Sequence, residues 1–260
     1  MNEVSRLLNH HRSIRRYRPD PIPRELIDDV CRDALAGASS SGNLNNVSLI
    51  LTRDSARKLR LHEVHARQPM ILQAPLLVTI VADCYRTRRW LARGAARDNF
   101  NNLLGYHIAF CDAMIVAQNI YLGLEARGMG ACYMGSTLTA MNEIAEILEL
   151  PDTCAPVATI VAGYPDEDPI KRDRLPIAAL IHEEVYRAPS DDRIDAIYAE
   201  REKSTWSRYT STPADRERLE QSGIQTVAQL YCSSIKYDPD TFLTDSQKLN
   251  EFLTKQHFLS

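Results

Sequence analysis

The sequence predicts a globular fold that mixes helices with short buried strands, and three observations carry that expectation. Branched apolar runs follow turn signals at 76–82 and 157–162, as buried strands require. Apolar residues recur at helical spacing in several longer segments, 106–127 above all. Hydrophobic residues make up 44% of the 260-residue chain and charged residues 25%, enough apolar material for a real core.

Glu3–His10 reads as a short helix with Val4, Leu7 and Leu8 on one side. Pro23 opens a second helix, in which Leu26, Ile27, Val30 and Ala34 recur at helical spacing until Gly37. Ser39-Ser40-Ser41-Gly42-Asn43 is a polar turn-forming loop, followed by a branched apolar strand over 47–51. A helix is expected over 55–65, and a buried central strand after Pro75. Between Cys84 and Leu104 the pattern is weak and arginine-rich, which allows a mobile helix or lid. The long helix 106–127 is apolar on more than one face, as core or oligomer-interface helices are. Gly128-Met129-Gly130 stops it. A strand over 131–136, a helix over 140–150 and the strand 157–162 follow. After Pro189 the chain becomes strongly charged, so 1–187 is expected as the core and 188–260 as a charged helical extension.

A formal charge of −3 gives no support to non-specific nucleic-acid binding. The six cysteines form no close pair, so neither a disulfide framework nor a metal site is expected, and buried free thiols are the better reading. Met1 to Ser5 is followed at once by Arg6, Asn9 and His10, unlike a secretory leader. No span is expected to be long and apolar enough to cross a bilayer, since the best candidate, 106–124, contains Asp112, Gln118 and Asn119. A cytoplasmic protein is the expectation.

The chemistry concentrates at His10-His11-Arg12-Ser13-Ile14-Arg15-Arg16-Tyr17-Arg18, which holds four arginines in a mildly acidic protein. Arginine forks match phosphate oxygens, and a serine hydroxyl adds a donor. A solvated turn with ordinary surface pairs is the competing reading. A second cluster, Lys171-Arg172-Asp173-Arg174, could converge on the same anion. No nucleophile elbow and no phosphate loop occur, and His62 and His65 read as surface residues. An absent acid–base set favours chemistry carried by a bound cofactor.

The segment His11-Arg12-Ser13-Ile14-Arg15 with Tyr17 resembles the N-terminal FMN-binding signature of the nitroreductase superfamily. The likeness is to its oxygen-insensitive, NADPH-preferring nitroreductases and flavin reductases. Further motifs follow in the family's order: Ser39-Ser40-Ser41 as the serine-rich loop, Gln68 as a flavin-contacting glutamine, Tyr133-Met134-Gly135-Ser136 as the segment beside the isoalloxazine ring, and Arg172-Asp173-Arg174-Leu175-Pro176 as a flavin-holding segment. Ser136 stands where the family pattern has glycine, and Arg172 where it has lysine.

The resemblance implies an α+β fold, a mixed and mostly antiparallel sheet flanked by helices, in an obligate homodimer with FMN sites at its interface. It implies His11, Arg12, Ser13, Arg15, Ser40, Gln68, Tyr133, Met134, Gly135, Ser136, Arg172 and Arg174 as cofactor-binding residues. Arg12, Ser13, Arg172 and Arg174 would hold the phosphate. Arg15, aided by Gln68, would place a cation where the reduced ring gathers negative charge. A backbone N–H of Gly135 or Ser136 would reach flavin N5, so no side-chain base is required. NADPH or NADH would be the co-substrate, with Arg208 at the 2′-phosphate. A small-molecule acceptor (nitroaromatic, quinone or flavin) would follow in a ping-pong cycle. The alternatives are a flavin-cleaving or dehalogenating relative without a nicotinamide partner and, as a minor reading, a nucleic-acid contact module. Asp20 and the absence of interleaved aromatic and basic residues argue against the last.

Overall fold

Four strands form one antiparallel sheet in the order β1-β2-β4-β3: β1 (Val47–Thr52), β2 (Leu76–Asp83), β3 (Gly130–Met134) and β4 (Cys154–Gly163). This computed structural model describes residues 1–259. The central strands β2 and β4 are buried along their whole length, which explains why both read as continuous apolar runs. β4 begins earlier than the apolar run suggests, because a bulge between Ile80 and Val81 in the register accommodates Pro156 within the strand. Proline cannot donate to a ladder, and a bulge is where a sheet tolerates it. A parallel bridge between Ser13 and Ala131 adds the mixed character expected of the sheet.

Helices α1 (Glu3–His10), α2 (Arg24–Ala36), α3 (Ser55–Val64), α4 (Met70–Gln73), α5 (Tyr85–Arg93), α6 (Leu103–Glu125) and α7 (Met141–Ile147) surround the sheet. The arginine-rich stretch, whose weak pattern allowed a mobile helix or lid, contains a regular helix, α5, capped by Gly94. The α6 helix is long and apolar enough to cross a membrane by length and composition, contrary to the sequence expectation. Its apolar residues have another use, because Ala109, Ala113, Val116, Ala117, Ile120 and Leu124 lie in the core.

The chain divides into two compact units, Met1–Lys171 with the segment from Ser246 onward, and Arg172–Asp245. The expected boundary at 187/188 falls inside the second unit, and the C-terminal segment returns to the first. There Phe252, Leu253 and Phe258 join the core, and the Phe258 ring meets Tyr106 at 5.2 Å between centroids. The second unit carries α8 (Asp191–Tyr209), α9 (Pro213–Gln221) and α10 (Val227–Tyr231), and the helix α11 (Pro239–Lys255) leads out of it. Within that unit Glu202 accepts from the Val227 backbone N–H at 3.1 Å, pinning α10 to α8.

Cys84, Cys132 and Cys154 are buried free thiols, but Cys111 and Cys232 are exposed and Cys31 is half-buried. The expectation of six buried thiols is corrected: Cys111 lies on the outward face of α6, which the core does not reach.

Candidate functional site

The basic signature is held by its apolar residues, which alternate with its charges. Ile14 and Tyr17 are buried, whereas Arg15, Arg16 and Arg18 are exposed. Ile14 N donates to Ala131 O at 2.9 Å, laying the segment along the free edge of β3. The approach depends on missing side chains: a Cβ on Gly130 would stand 2.7 Å from Ile14 Cβ, and one on Gly163 2.9 Å from the Tyr17 ring. The Tyr17 hydroxyl donates between Ile14 O at 2.5 Å and Val161 O at 3.2 Å. Burial pushes that phenol far above its usual range, so it acts as a permanent donor.

Two carboxylates outside the signature fix its polar groups. Glu167 accepts from the backbone N–H of Arg15 at 2.5 Å and of Arg16 at 3.1 Å, and from Arg16 Nε at 3.2 Å. Burial raises the Glu167 carboxyl, but these donors outweigh it and hold the group below its usual range. Glu125, at the end of α6, meets His11 Nδ1 at 2.9 Å. Its pKa is raised, with burial outweighing the opposing pull of His11 and the Arg12 backbone N–H. The His11 ring packs against Tyr121 at 5.1 Å, and Tyr121 stacks on Tyr133 at 5.1 Å. The Tyr121 hydroxyl donates to Ala131 O, on the strand residue that bridges to Ser13.

Arg12 reaches Asp168 at 3.4 Å through one terminal nitrogen, while its Nε is buried with no partner. Arg12, Glu125, Gly130, Glu167 and Asp168 border a cavity of about 230 Å³. Arg15 is exposed, with one nitrogen 3.4 Å from Ser13 O.

Met134, the last residue of β3, is buried, and beyond it Gly135 is exposed and Ser136 is half-buried. A Cβ on Gly135 would meet nothing within 4 Å, so the turn faces open space. The Tyr133 hydroxyl is buried and unpartnered, and burial raises its pKa beyond the usual phenol range. Ser136 Oγ lies 2.9 Å from His65 Nδ1 and accepts from Gln68 Nε2 at 3.5 Å. His65 is fully buried, and burial alone lowers its pKa to about 4. The reading of His65 as a surface residue is therefore corrected; its imidazole is a neutral part of this cluster.

The expected residues gather unequally. His11, Arg12, Ser13, Arg15 and Tyr133 line the β3 edge, and Gln68 with Ser136 lies just past its end. Ser40 is engaged elsewhere: its hydroxyl donates to the buried Asp112 at 2.6 Å and accepts from Asn45 N at 2.8 Å. Arg172, Arg174 and Arg208 belong to the second unit. There Arg174 donates to Arg172 O at 3.0 Å, and the Arg208 guanidinium lies 5.3 Å above the Tyr209 ring. Sequence reasoning missed Glu125, Glu167 and His65, whose partners lie far along the chain. No local pattern marks them, because each meets its partner only in the fold.

Buried unfilled donors on Arg12 and Tyr133, exposed cationic Arg15 and the open Gly135 turn suit an anionic group joined to a flat polar ring. The profile described as the nitroreductase family matches residues 8–164. The chain is 27% identical over 256 residues to an FMN reductase (NADPH) of Bacillus subtilis (strain 168), covering 97% of this chain and 99% of that one. It is 33% identical over 188 residues to an FMN reductase [NAD(P)H] of the same organism, covering 72% and 75%. Among solved structures it superposes on B. megaterium NfrA2 with a TM-score of 0.82 at 26% identity, covering 100% of this chain and 99% of that one. The chain belongs to the nitroreductase family.

Proposed function

We propose that this chain is an FMN-dependent oxidoreductase that uses NAD(P)H, NADPH by preference, to reduce nitroaromatics, quinones or flavins in a ping-pong cycle. The observation that carries the reading is the buried, unfilled Nε of Arg12 beside exposed Arg15, on a segment fastened to β3. A buried guanidinium N–H without an acceptor is costly, and a phosphate oxygen would relieve it. The relatives named as NADPH and NAD(P)H reductases of FMN support the same class.

FMN, when bound, would supply two-electron transfer from the nicotinamide to the acceptor. The chain's residues bind and tune. Arg12 binds the phosphate; Arg172 and Arg174 are the second unit's candidates for that role. Arg15 places positive charge beside the ring, and Glu167 holds its backbone in place. His11, Ser13 and Tyr133 form the wall of that site, while Gln68, Met134, Gly135 and Ser136 meet the other end of the ring. Ser40 supports the site through Asp112 by shaping the 40–46 loop. Arg208 reads the 2′-phosphate of NADPH.

A homodimer in the cytoplasm completes the reading. Leu104, Ile108, Cys111, Ile115 and Leu122 follow one another at helical spacing along α6, and each is exposed or half-buried. Such an apolar stripe suits a second copy of the chain. Steady-state kinetics test the activity: parallel double-reciprocal lines with NADPH and a quinone are expected. Intersecting lines would remove the ping-pong assignment, and oxidation of neither NADPH nor NADH would remove the oxidoreductase itself.

A further inference from the structure

His65, Gln68 and Ser136 form a buried-to-open relay whose geometry constrains one proton. Gln68 Nε2 can only donate, so Ser136 Oγ already accepts one hydrogen bond at 3.5 Å. The same amide nitrogen donates to His65 O at 3.2 Å, fastening Gln68 to His65. His65 Nδ1 is 2.9 Å from Ser136 Oγ, and His65 Nε2 is buried with no partner.

Between His65 and Gln68 the backbone is strained. Ala66 and Arg67 both take left-handed conformations, φ 54° and 52°, which side chains with a Cβ rarely adopt. Consecutive strained residues persist only where their surroundings over-determine them, and such places cluster at ligand clamps. Here the fully buried imidazole anchors one end and the Gln68 amide the other, both on Ser136.

Two proton arrangements satisfy the distances. If Ser136 donated to Nδ1, the proton on Nε2 would be sealed in the interior as an orphaned donor. If Nδ1–H donates, Ser136 Oγ accepts two bonds and its own proton must point elsewhere. An orphaned buried N–H is the rarer defect in proteins. Gly135, the residue before Ser136, borders open space, with nothing within 4 Å of a Cβ built there, so the turn leaves room for the freed proton on that side.

We infer that His65 is a positioning residue that, with Gln68, turns Ser136 into a hydrogen-bond donor aimed at an acceptor atom of the bound flavin ring. This rests on the flavin reading given above. Burial keeps His65 neutral at physiological pH, so the donor is not lost to titration in that range. Ser136 adds a side-chain donor to a turn where the family pattern has none, and so sets this chain's ring environment apart.

The test uses the FMN-loaded protein, with the histidine side chains labelled with nitrogen-15. Long-range proton–nitrogen spectra, with His65 assigned by its loss in His65→Gln, are expected to place its proton on Nδ1. Ser136→Ala is expected to shift the visible flavin bands and weaken FMN binding about three- to tenfold, the value of one hydrogen bond. His65→Leu is expected to do the same. His65→Asn, whose amide can replace the Nδ1 donor, is expected to recover the bands and the affinity. A proton on Nε2, or wild-type bands and affinity in Ser136→Ala, would overturn the inference while leaving FMN binding intact. A protein that binds no FMN overturns the flavin reading and the ligand named here, whichever tautomer its His65 shows.

Discussion

Ile14 occupies the space that Gly130 leaves empty: a Cβ at position 130 would lie 2.7 Å from both Ile14 Cβ and Ile14 Cγ1. The clash involves the root of a branched side chain, which cannot swing away. That close approach lets the arginine-bearing segment lie on the β3 edge.

Gly130→Ala is therefore expected to lose about 1–3 kcal/mol of stability by overpacking. It is also expected to weaken FMN binding, because the segment carrying Arg12 and Arg15 must shift. Gly135→Ala has open space around it and is expected to keep the wild-type Tm. Thermal unfolding of both variants checks the contrast; equal Tm values would show that the segment does not depend on this contact.

Burial of His65 makes stability depend on pH with a defined sign. Its folded pKa, about 4, lies below the ordinary value of 6.5, so the unfolded chain binds the proton first. The contribution is fully present above pH 6.5 and is lost as the pH falls toward 4. The limiting slope is about 1.4 kcal/mol per pH unit. Urea unfolding between pH 4.5 and 7 is expected to show a shallower dependence in His65→Gln than in the wild type. Identical slopes would mean that the imidazole is hydrated in solution.

Much of the sheet and little of the site's support could be read from the sequence. β2 and β4 are buried on both faces, so their apolar runs announce themselves. The bulge at Pro156 does not, because a local pattern cannot show which partner residue a strand skips. Arg12, Ser13 and Gln68 were named from the family's motif order, and the fold carries them to the β3 edge and just past its end. His65 was not, since its burial comes from folding against Ser136, 71 residues away. Glu125 and Glu167 are hidden for the same reason: each meets the signature from more than 100 positions away. The C-terminal segment looked like part of a polar extension, yet Phe252, Leu253 and Phe258 return to the core.

The phosphate assignment is checked by Arg12→Ala combined with Arg174→Ala. Each charge-assisted hydrogen bond removed contributes about 1.5–3 kcal/mol, so FMN affinity is expected to fall by at least tenfold. The flavin spectrum of the FMN that remains bound is expected to change little. Unchanged affinity by fluorescence titration would assign the phosphate to other residues.

Nucleotide choice is checked by Arg208→Ala. A contact to the 2′-phosphate acts on NADPH and has nothing to grip in NADH. The KM for NADPH is expected to rise about tenfold with that for NADH unchanged. Equal effects on both would return Arg208 to the role of a side chain packed on Tyr209.

The central claim is that this chain holds FMN, and the absorbance spectrum of the purified protein tests it most directly. The account expects a yellow protein with flavin bands that releases FMN, not FAD, on denaturation. A colourless protein that takes up no FMN when the cofactor is added would contradict it.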